Sequence, residues 1–220
     1  MGNEAVAKAA MKAGLGFYSG YPITPASEVM HFLAKEKGLP FVNAEDEIAS
    51  INMCIGGSLA GKKVLTATSG PGFSLMQEAI GYGYMAEVPL VVFNSQRVGP
   101  STGMPTLPAQ GDLFQAIYGC HGDTYPIVFY PNSVKEMYKC TIESFNCAEE
   151  ARQPVILLSD AFLSHMYEVV EVDEVKLKKR KMKSIGTGIG HVTGLLSKDG
   201  VPMTKDPDYY KEWIKHAKDK

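Results

Sequence analysis

Residues 64–93, VLTATSGPGFSLMQEAIGYGYMAEVPLVVF, contain one complete unit of the fold. The apolar stretch 64–68 predicts a buried strand, the Gly/Pro-rich stretch 69–72 a turn, and 73–85 has the pattern of a helix. Residues 89–93, PLVVF, predict a second buried strand. Two strands joined by a helical crossover run parallel, because the helix returns the chain to the same end of the sheet.

The same alternation of short apolar strands and helices continues on both sides of this unit. It predicts an α/β fold: a doubly wound, mostly parallel sheet of about six strands with helices on both faces. In such sheets ligands bind at the carboxyl ends of the strands. The Gly/Pro-rich or acidic turns at these ends are 19–25, 43–47, 69–72 and 95–111. At the start of the chain, Asn3 is predicted to cap the first helix.

Composition excludes several classes of protein. The chain has 220 residues, of which 45% are hydrophobic and 21% charged, which is not the composition of a disordered chain, a collagen or a coiled coil. No apolar run approaches the roughly 20 residues that span a bilayer. We also find no signal-peptide pattern, so we expect a cytoplasmic protein without a membrane partner. The net charge of −2 gives no indication of a nucleic-acid partner.

The charge is distributed unevenly. Residues 1–170 contain 10 Lys/Arg and 16 Asp/Glu, whereas residues 171–220 contain 12 Lys/Arg and 8 Asp/Glu. This break predicts a folded domain over 1–170 and a basic linker or tail over 171–220. Six of the eight residues in 176–183 are Lys or Arg, which is typical of a solvated linker or face. None of the four cysteines forms a C-x-x-C pair, so a metal site built by this chain alone is not expected.

The segment Ser69–Gly72 lies between a strand and a helix, where a phosphate-binding loop would lie. As a dinucleotide motif it fails, because Leu75 occupies the third glycine position and no acid ends the next strand. A nicotinamide site is therefore the weakest interpretation. A tight structural turn and a turn that lines another ligand pocket both stay open.

Three further segments each have a structural and a functional interpretation. The acidic triplet 45–47 either stabilises the first turn of a helix through its dipole or holds one buried catalytic acid. Thr24 either caps a helix that begins at Pro25 or presents a rigidly held hydroxyl. Arg97 follows a strand and either forms a salt bridge or binds a carboxylate in a bidentate manner.

Longer motifs connect these segments. They are GN-x-A at 2–5, GYPITPASE at 20–28, EDEIAS at 45–50, TSGPGFSLM at 68–76, QR-x-GPSTG-x-PT at 96–106 and PVILLSDA at 154–161. In this order, over about residues 2–170, they resemble the α subunit of a 2-oxoacid:ferredoxin oxidoreductase. The 2-oxoglutarate type is the most similar, through SGPGFSLM and GPSTGMPT.

The resemblance implies that residues 1–170 are a pyrimidine-binding catalytic domain for thiamine diphosphate. A partner β subunit would carry the diphosphate and Mg²⁺ domain and the iron–sulfur clusters. The complex would oxidatively decarboxylate a 2-oxoacid, with 2-oxoglutarate the leading substrate, to an acyl-CoA, and would pass the electrons to ferredoxin. Residues 171–220 would lead to a further domain. The alternatives are a branched-chain or pyruvate-type relative, or a non-catalytic assembly subunit with the same fold. An independent dinucleotide-binding enzyme is a third hypothesis.

The resemblance also implies roles for individual residues. Glu47 matches the glutamate that bonds the aminopyrimidine N1′, and a proton shared there favours the imino tautomer that activates the cofactor. Thr24 and Arg97 match the residues that contact the substrate carboxylate. The remaining cofactor-binding residues implied by the resemblance are Tyr21, Pro22, Ser69 and Gly70.

Overall fold

The computed structural model describes residues 1–172, 174–180, 197–198 and 201–220. The strands of the main sheet are β1 Leu15–Gly20, β2 Phe41–Asn43, β3 Lys63–Thr68, β4 Leu90–Gln96, β5 Ile127–Phe129 and β6 Pro154–Asp160. All pairings in this sheet are parallel, in the order β2-β1-β3-β4-β6-β5. The predicted α/β fold is therefore confirmed.

Helices cover both faces of the sheet. They are α1 Gly2–Ala13, α2 Ser27–Leu33, α3 Glu47–Leu59, α4 Gly70–Leu75, α5 Gln77–Met85, α6 Leu113–Tyr118, α7 Val134–Ala151 and α8 Ala161–His165. Helices α1, α2, α7 and α8 contribute to the core on one face, and α3 to α6 to the core on the other. A small hairpin, β7 Ser197–Lys198 with β8 Val201–Pro202, and α9 Pro207–Asp219 follow.

The central strand β4 shows why the predicted strands are apolar along their whole length. Val91 and Phe93 belong to one core, whereas Leu90 and Val92 belong to the other. Successive side chains of a strand point to opposite faces, so a strand covered on both sides has no position that faces water. Burying each such side chain contributes about 1.5–3 kcal/mol.

The start of α2 differs from the prediction. Thr24 is not its N-cap and Pro25 is not its first residue, because α2 begins at Ser27 with Ala26 in the capping position. The Thr24 carbonyl accepts a hydrogen bond from Arg97 rather than from a helical N–H. A local turn, closed by the Ala26 N–H donating to the Ile23 carbonyl at 2.9 Å, precedes the helix instead.

Asn3 is also not a cap, since it lies within the first turn of α1 and its side chain makes long-range hydrogen bonds. The turn predicted at 69–72 is largely helical, because α4 already begins at Gly70. The helical pattern at 73–85 corresponds to two short helices, α4 and α5, that meet at Met76.

The described parts of the segment after residue 170 contact the sheet domain through the basic run and through α9, among other contacts. In the basic run, Lys178 and Arg180 bond to α7, and Arg180 pairs with Glu149 at 2.6 Å in a largely buried contact. This described part is therefore not a freely solvated face, and residues 181–183 lie outside the described residues. On α9, the buried Trp213 packs edge-on against Tyr84 of α5.

The domain boundary at residue 170 stays a prediction.

None of the helices in the described part of the chain is long and apolar enough to cross a lipid bilayer.

We predict that Phe93→Ala lowers the free energy of unfolding by about 3–5 kcal/mol, because it removes a fully buried ring from the core that the sheet shares with α1, α2, α7 and α8. Phe114→Ala is the matched control. Phe114 is 74% exposed, so its loss should change stability by no more than about 0.5 kcal/mol. Urea unfolding measures both values, and equal effects of the two variants would contradict the assignment of the core.

Candidate functional site

The candidate site lies where the carboxyl ends of β1 to β4 meet at one edge of the sheet. Parallel strands place all these ends together, so segments far apart in sequence become neighbours. The segment 21–26 follows β1, and 44–46 follows β2 and leads into α3. Ser69 links β3 to α4, and a loop over 97–112 follows β4.

The residues of the acidic triplet 45–47 have different roles at the start of α3. Asp46 is the N-cap, and its Oδ1 accepts a hydrogen bond from the Ala49 N–H at 2.7 Å. Glu45 is exposed, whereas Glu47 is the first helical residue and only 6% exposed. The helix-stabilising interpretation therefore applies to Asp46, and Glu47 is the one buried acid of the three.

Burial raises the pKa of the Glu47 carboxyl, and the nearby Asp46 carboxylate acts in the same direction. The residue's own backbone N–H and the positive charge of Arg97 oppose this rise. The side chain lies directly against Gly72, where an added Cβ would be 2.5 Å from both Cγ and Oε1 of Glu47. A glycine at position 72 is thus a condition for Glu47 to occupy this place.

Arg97 connects Glu47 with the segment that carries Thr24. Its Nη1 donates to the Thr24 carbonyl at 2.8 Å, and its side chain is 9% exposed. Burial lowers the pKa of the guanidinium, and the negative charge of Glu47 opposes this effect. We find no carboxylate within 4.0 Å of Arg97 in the described ranges, and its buried Nε has no partner there, so the salt-bridge interpretation is not supported.

The structure thus brings together Glu47, Arg97 and the Thr24 segment. Tyr21 and Pro22 lie on the same segment and are exposed, at the surface of this edge. Ser69 is the capping residue of α4 but makes no side-chain cap, and its buried Oγ has no partner within the described part of the chain.

A polar cluster next to Gly70 was not predicted. A Cβ at Gly70 would lie 3.3 Å from Asp112 Oδ2, and this carboxylate accepts from Asn94 Nδ2 at 3.0 Å. The Asp112 N–H donates to Gln96 Oε1 at 2.9 Å, which anchors the end of the 97–112 loop to β4. The sequence feature that could have indicated this cluster is that β4, otherwise apolar, ends in polar residues.

Within the described residues, we find no group of three or more His, Cys, Asp or Glu side chains placed to hold a metal ion. The chemistry that the edge does offer is a buried carboxyl whose pKa burial raises, within electrostatic reach of a buried guanidinium. Such a pair suits a ligand that shares a proton with the acid and a second ligand that carries a carboxylate.

Comparison with known proteins gives consistent matches. The family model for pyruvate flavodoxin/ferredoxin oxidoreductase, thiamine diphosphate-binding, matches residues 8–191. The 2-oxoglutarate synthase subunit KorA of Archaeoglobus fulgidus is 48% identical over 218 residues, which cover 96% of this chain and 63% of the relative. The corresponding subunit of Methanocaldococcus jannaschii is 50% identical over 82% of this chain and 50% of its own length. The ketoisovalerate oxidoreductase subunit VorB of Methanothermobacter thermautotrophicus is 44% identical over 81% of this chain and 52% of its own.

A solved structure has the same fold. It is the 2-oxoglutarate:ferredoxin oxidoreductase from Magnetococcus marinus with 2-oxoglutarate, coenzyme A and succinyl-CoA bound. It superposes with a TM-score of 0.85 at 37% identity, over 99% of this chain and 44% of that chain. The chain therefore spans 44% to 63% of the length of these four proteins.

The buried acid gives a stability prediction with a defined sign. Because the folded state raises the pKa of Glu47, it binds a proton where the unfolded chain does not, and stability falls as the pH rises above the ordinary carboxyl range. The Glu47→Gln variant has no carboxyl at this position to titrate, so it does not show this fall in stability. We expect the variant to gain stability relative to the wild-type chain between about pH 4 and about pH 8.

Urea unfolding at the two pH values measures the change, with Glu45→Gln as the exposed control that should follow the wild type. A stability difference between Glu47→Gln and the wild type that stays constant, or shrinks with rising pH, would contradict a raised pKa.

Proposed function

The chain belongs to the thiamine diphosphate-binding family of pyruvate flavodoxin/ferredoxin oxidoreductases, and we propose that it forms the pyrimidine-binding half of a 2-oxoacid:ferredoxin oxidoreductase. The observation that carries this proposal is the buried Glu47 carboxyl with its raised pKa at the carboxyl edge of the sheet. An acid that is easily protonated there is what a partner nitrogen base requires for a shared proton.

In this proposal Glu47 holds a proton at its carboxyl group and shares it with N1′ of the aminopyrimidine. When bound, thiamine diphosphate supplies the electron sink for decarboxylation of the 2-oxoacid. The absence of a side chain at Gly72 leaves Glu47 in contact with the start of α4. Ser69 and Gly70, at the same turn, and Tyr21 and Pro22, on the segment after β1, are proposed to contact the cofactor from either side.

Thr24 and Arg97 are proposed to bind the carboxylate of the 2-oxoacid. A guanidinium has five N–H donors, and the Thr24 carbonyl accepts from only one of its nitrogens. The same contact holds the Thr24 segment next to the guanidinium. Every 2-oxoacid carries this carboxylate, so these two residues bind the substrate class and do not select the side chain.

We propose 2-oxoglutarate as the substrate, because several of the most similar relatives are named 2-oxoglutarate synthase subunits. A branched-chain 2-oxoacid is the second candidate, since ketoisovalerate oxidoreductase subunits are 44% and 45% identical. Coenzyme A would accept the acyl group and ferredoxin the electrons.

We further propose that a partner β subunit carries the diphosphate and Mg²⁺ domain and the iron–sulfur clusters, since the relatives are named as subunits. Residues 1–170 would then be the catalytic domain and 171–220 the start of a connection to a further domain. The cytoplasmic location stays a prediction.

We predict that Glu47→Gln lowers turnover of the complex by at least about 100-fold, because an amide cannot take up or release the shared proton. The complex with its β subunit is assayed by reduction of a low-potential acceptor in the presence of thiamine diphosphate, Mg²⁺ and coenzyme A. The substrates are 2-oxoglutarate, 2-oxoisovalerate and pyruvate. Glu45→Gln should keep wild-type turnover, and a Glu47→Gln complex within twofold of wild type would refute the role of Glu47.

We predict that Arg97→Ala raises KM about 10- to 100-fold for every 2-oxoacid that the complex accepts, as expected for the loss of a hydrogen bond between charged groups. KM for coenzyme A should not change and serves as the internal control. A KM increase for coenzyme A alone, or for only one 2-oxoacid, would contradict binding of the common carboxylate.

A further inference from the structure

Asn3, in the first turn of α1, is fully buried and makes two hydrogen bonds to the region around α2. Its Nδ2 donates to the Pro25 carbonyl at 2.8 Å and to Glu28 Oε2 at 2.9 Å. Both partners are acceptors, so the amide nitrogen and not the oxygen must face them. The side chain therefore has one orientation and acts only as a donor to this segment.

The start of α1 is itself held tightly. A Cβ at Gly2 would overlap the Leu163 carbonyl oxygen. Helix α1 therefore approaches α8 more closely than a residue with a side chain at position 2 would allow. The Gly2 N–H also donates to the Met166 carbonyl at 3.1 Å. From α8, His165 Nε2 lies 3.5 Å from the same Glu28 oxygen that Asn3 contacts. Asn3 thus projects from a fixed scaffold.

Two consecutive carbonyls of the segment 21–26 accept hydrogen bonds from buried side chains elsewhere in the fold. Arg97, after β4, holds the Thr24 carbonyl at 2.8 Å, and Asn3, on α1, holds the Pro25 carbonyl at the same distance. The backbone between these two carbonyls is that of Pro25, the residue that follows Thr24. Fixing both carbonyls holds in place the backbone from which the Thr24 side chain projects.

We propose that Asn3 is a positioning residue that sets the Thr24 hydroxyl relative to Arg97 through the Pro25 carbonyl. This inference rests on the proposed function of Thr24 and Arg97. Asn3 itself contacts neither the substrate nor the cofactor. Without its donor, the Pro25 carbonyl is buried and unpaired, and the segment relaxes to find another partner. The hydroxyl then moves away from the carboxylate that it binds together with Arg97.

The test uses three variants in the complex with the β subunit. Asn3→Asp keeps the shape but removes both donors. Glu28→Gln is the matched control, because its amide oxygen still accepts from Asn3 and leaves the Pro25 bond intact. In the double variant Asn3→Asp/Glu28→Gln, the glutamine amide can donate to the aspartate. The contact between positions 3 and 28 is then restored without the Pro25 bond.

We expect Asn3→Asp and the double variant to raise KM for 2-oxoglutarate about three- to tenfold, the equivalent of one hydrogen bond, with kcat within twofold of wild type. Glu28→Gln should keep the wild-type KM, and KM for coenzyme A should be unchanged throughout. A double variant that regains the wild-type KM would overturn the role of the Pro25 bond, because only the 3–28 contact would matter.

Amide hydrogen exchange gives a second measurement that does not depend on activity. Peptides that contain Ile23 to Ala26 should exchange faster in Asn3→Asp than in the wild type or in Glu28→Gln, with the central strands unchanged. If Asn3→Asp does not fold, Asn3→Ala, which introduces no charge, replaces it. Unchanged exchange in this segment would overturn the inference.

The two proposals fail in different ways. A wild-type complex that turns over no 2-oxoacid refutes the proposed function and the inference with it. An active complex whose KM rises in Arg97→Ala but not in Asn3→Asp refutes the inference alone.

Discussion

The burial of one carboxyl group, that of Glu47, constrains the residues around it. Moving a carboxylate out of water costs free energy, so its surroundings must favour the protonated form or supply an opposite charge. Here both occur, since burial raises the pKa and Arg97 limits the rise. Asp46 caps the helix, and Gly72 leaves the space. The space at Gly72 is needed for the acid to lie there, whereas the Asp46 cap also stabilises the helix on its own.

Arg97 extends this local arrangement across the edge of the sheet. It interacts electrostatically with Glu47 after β2 and donates a hydrogen bond to Thr24 after β1, although it follows β4 itself. One guanidinium therefore couples the group that we assign to the cofactor with the segment that we assign to the substrate. The parallel sheet makes this possible, because it brings the ends of these strands to one edge.

The fold could be predicted because its signal is local and repeated. Strands such as 90–93 are apolar throughout, and each is followed by a helix, which leaves few alternatives to a sheet covered on both faces. The motifs around Glu47, Thr24 and Arg97 could also be identified. Their proximity in space follows from strand ends that meet, whereas their selection as site residues came from the resemblance to a family and their roles stay predictions.

Two of the errors, and one cluster that was not predicted, concern hydrogen bonds between residues distant in sequence. Thr24 has the local pattern of a cap, yet Arg97, 73 residues away, uses its carbonyl. Asn3 has the pattern of a cap too, but its amide bonds to Pro25, 22 residues away. Asp112 bonds to Asn94 across a long loop. A local sequence pattern shows only which nearby side chains can bond to a backbone group. A side chain from another element of the fold can form the hydrogen bond instead.

The most direct test of this account is the titration of Glu47 itself. In the chain labelled with ¹³C at the glutamate carboxyl carbons, the Glu47 signal is assigned by its loss in Glu47→Gln and followed by NMR against pH. The account predicts a pKa above the ordinary glutamate value of about 4.3, and a further increase in Arg97→Ala. A Glu47 that titrates at or below the ordinary value, or one that does not respond to the loss of Arg97, would contradict it.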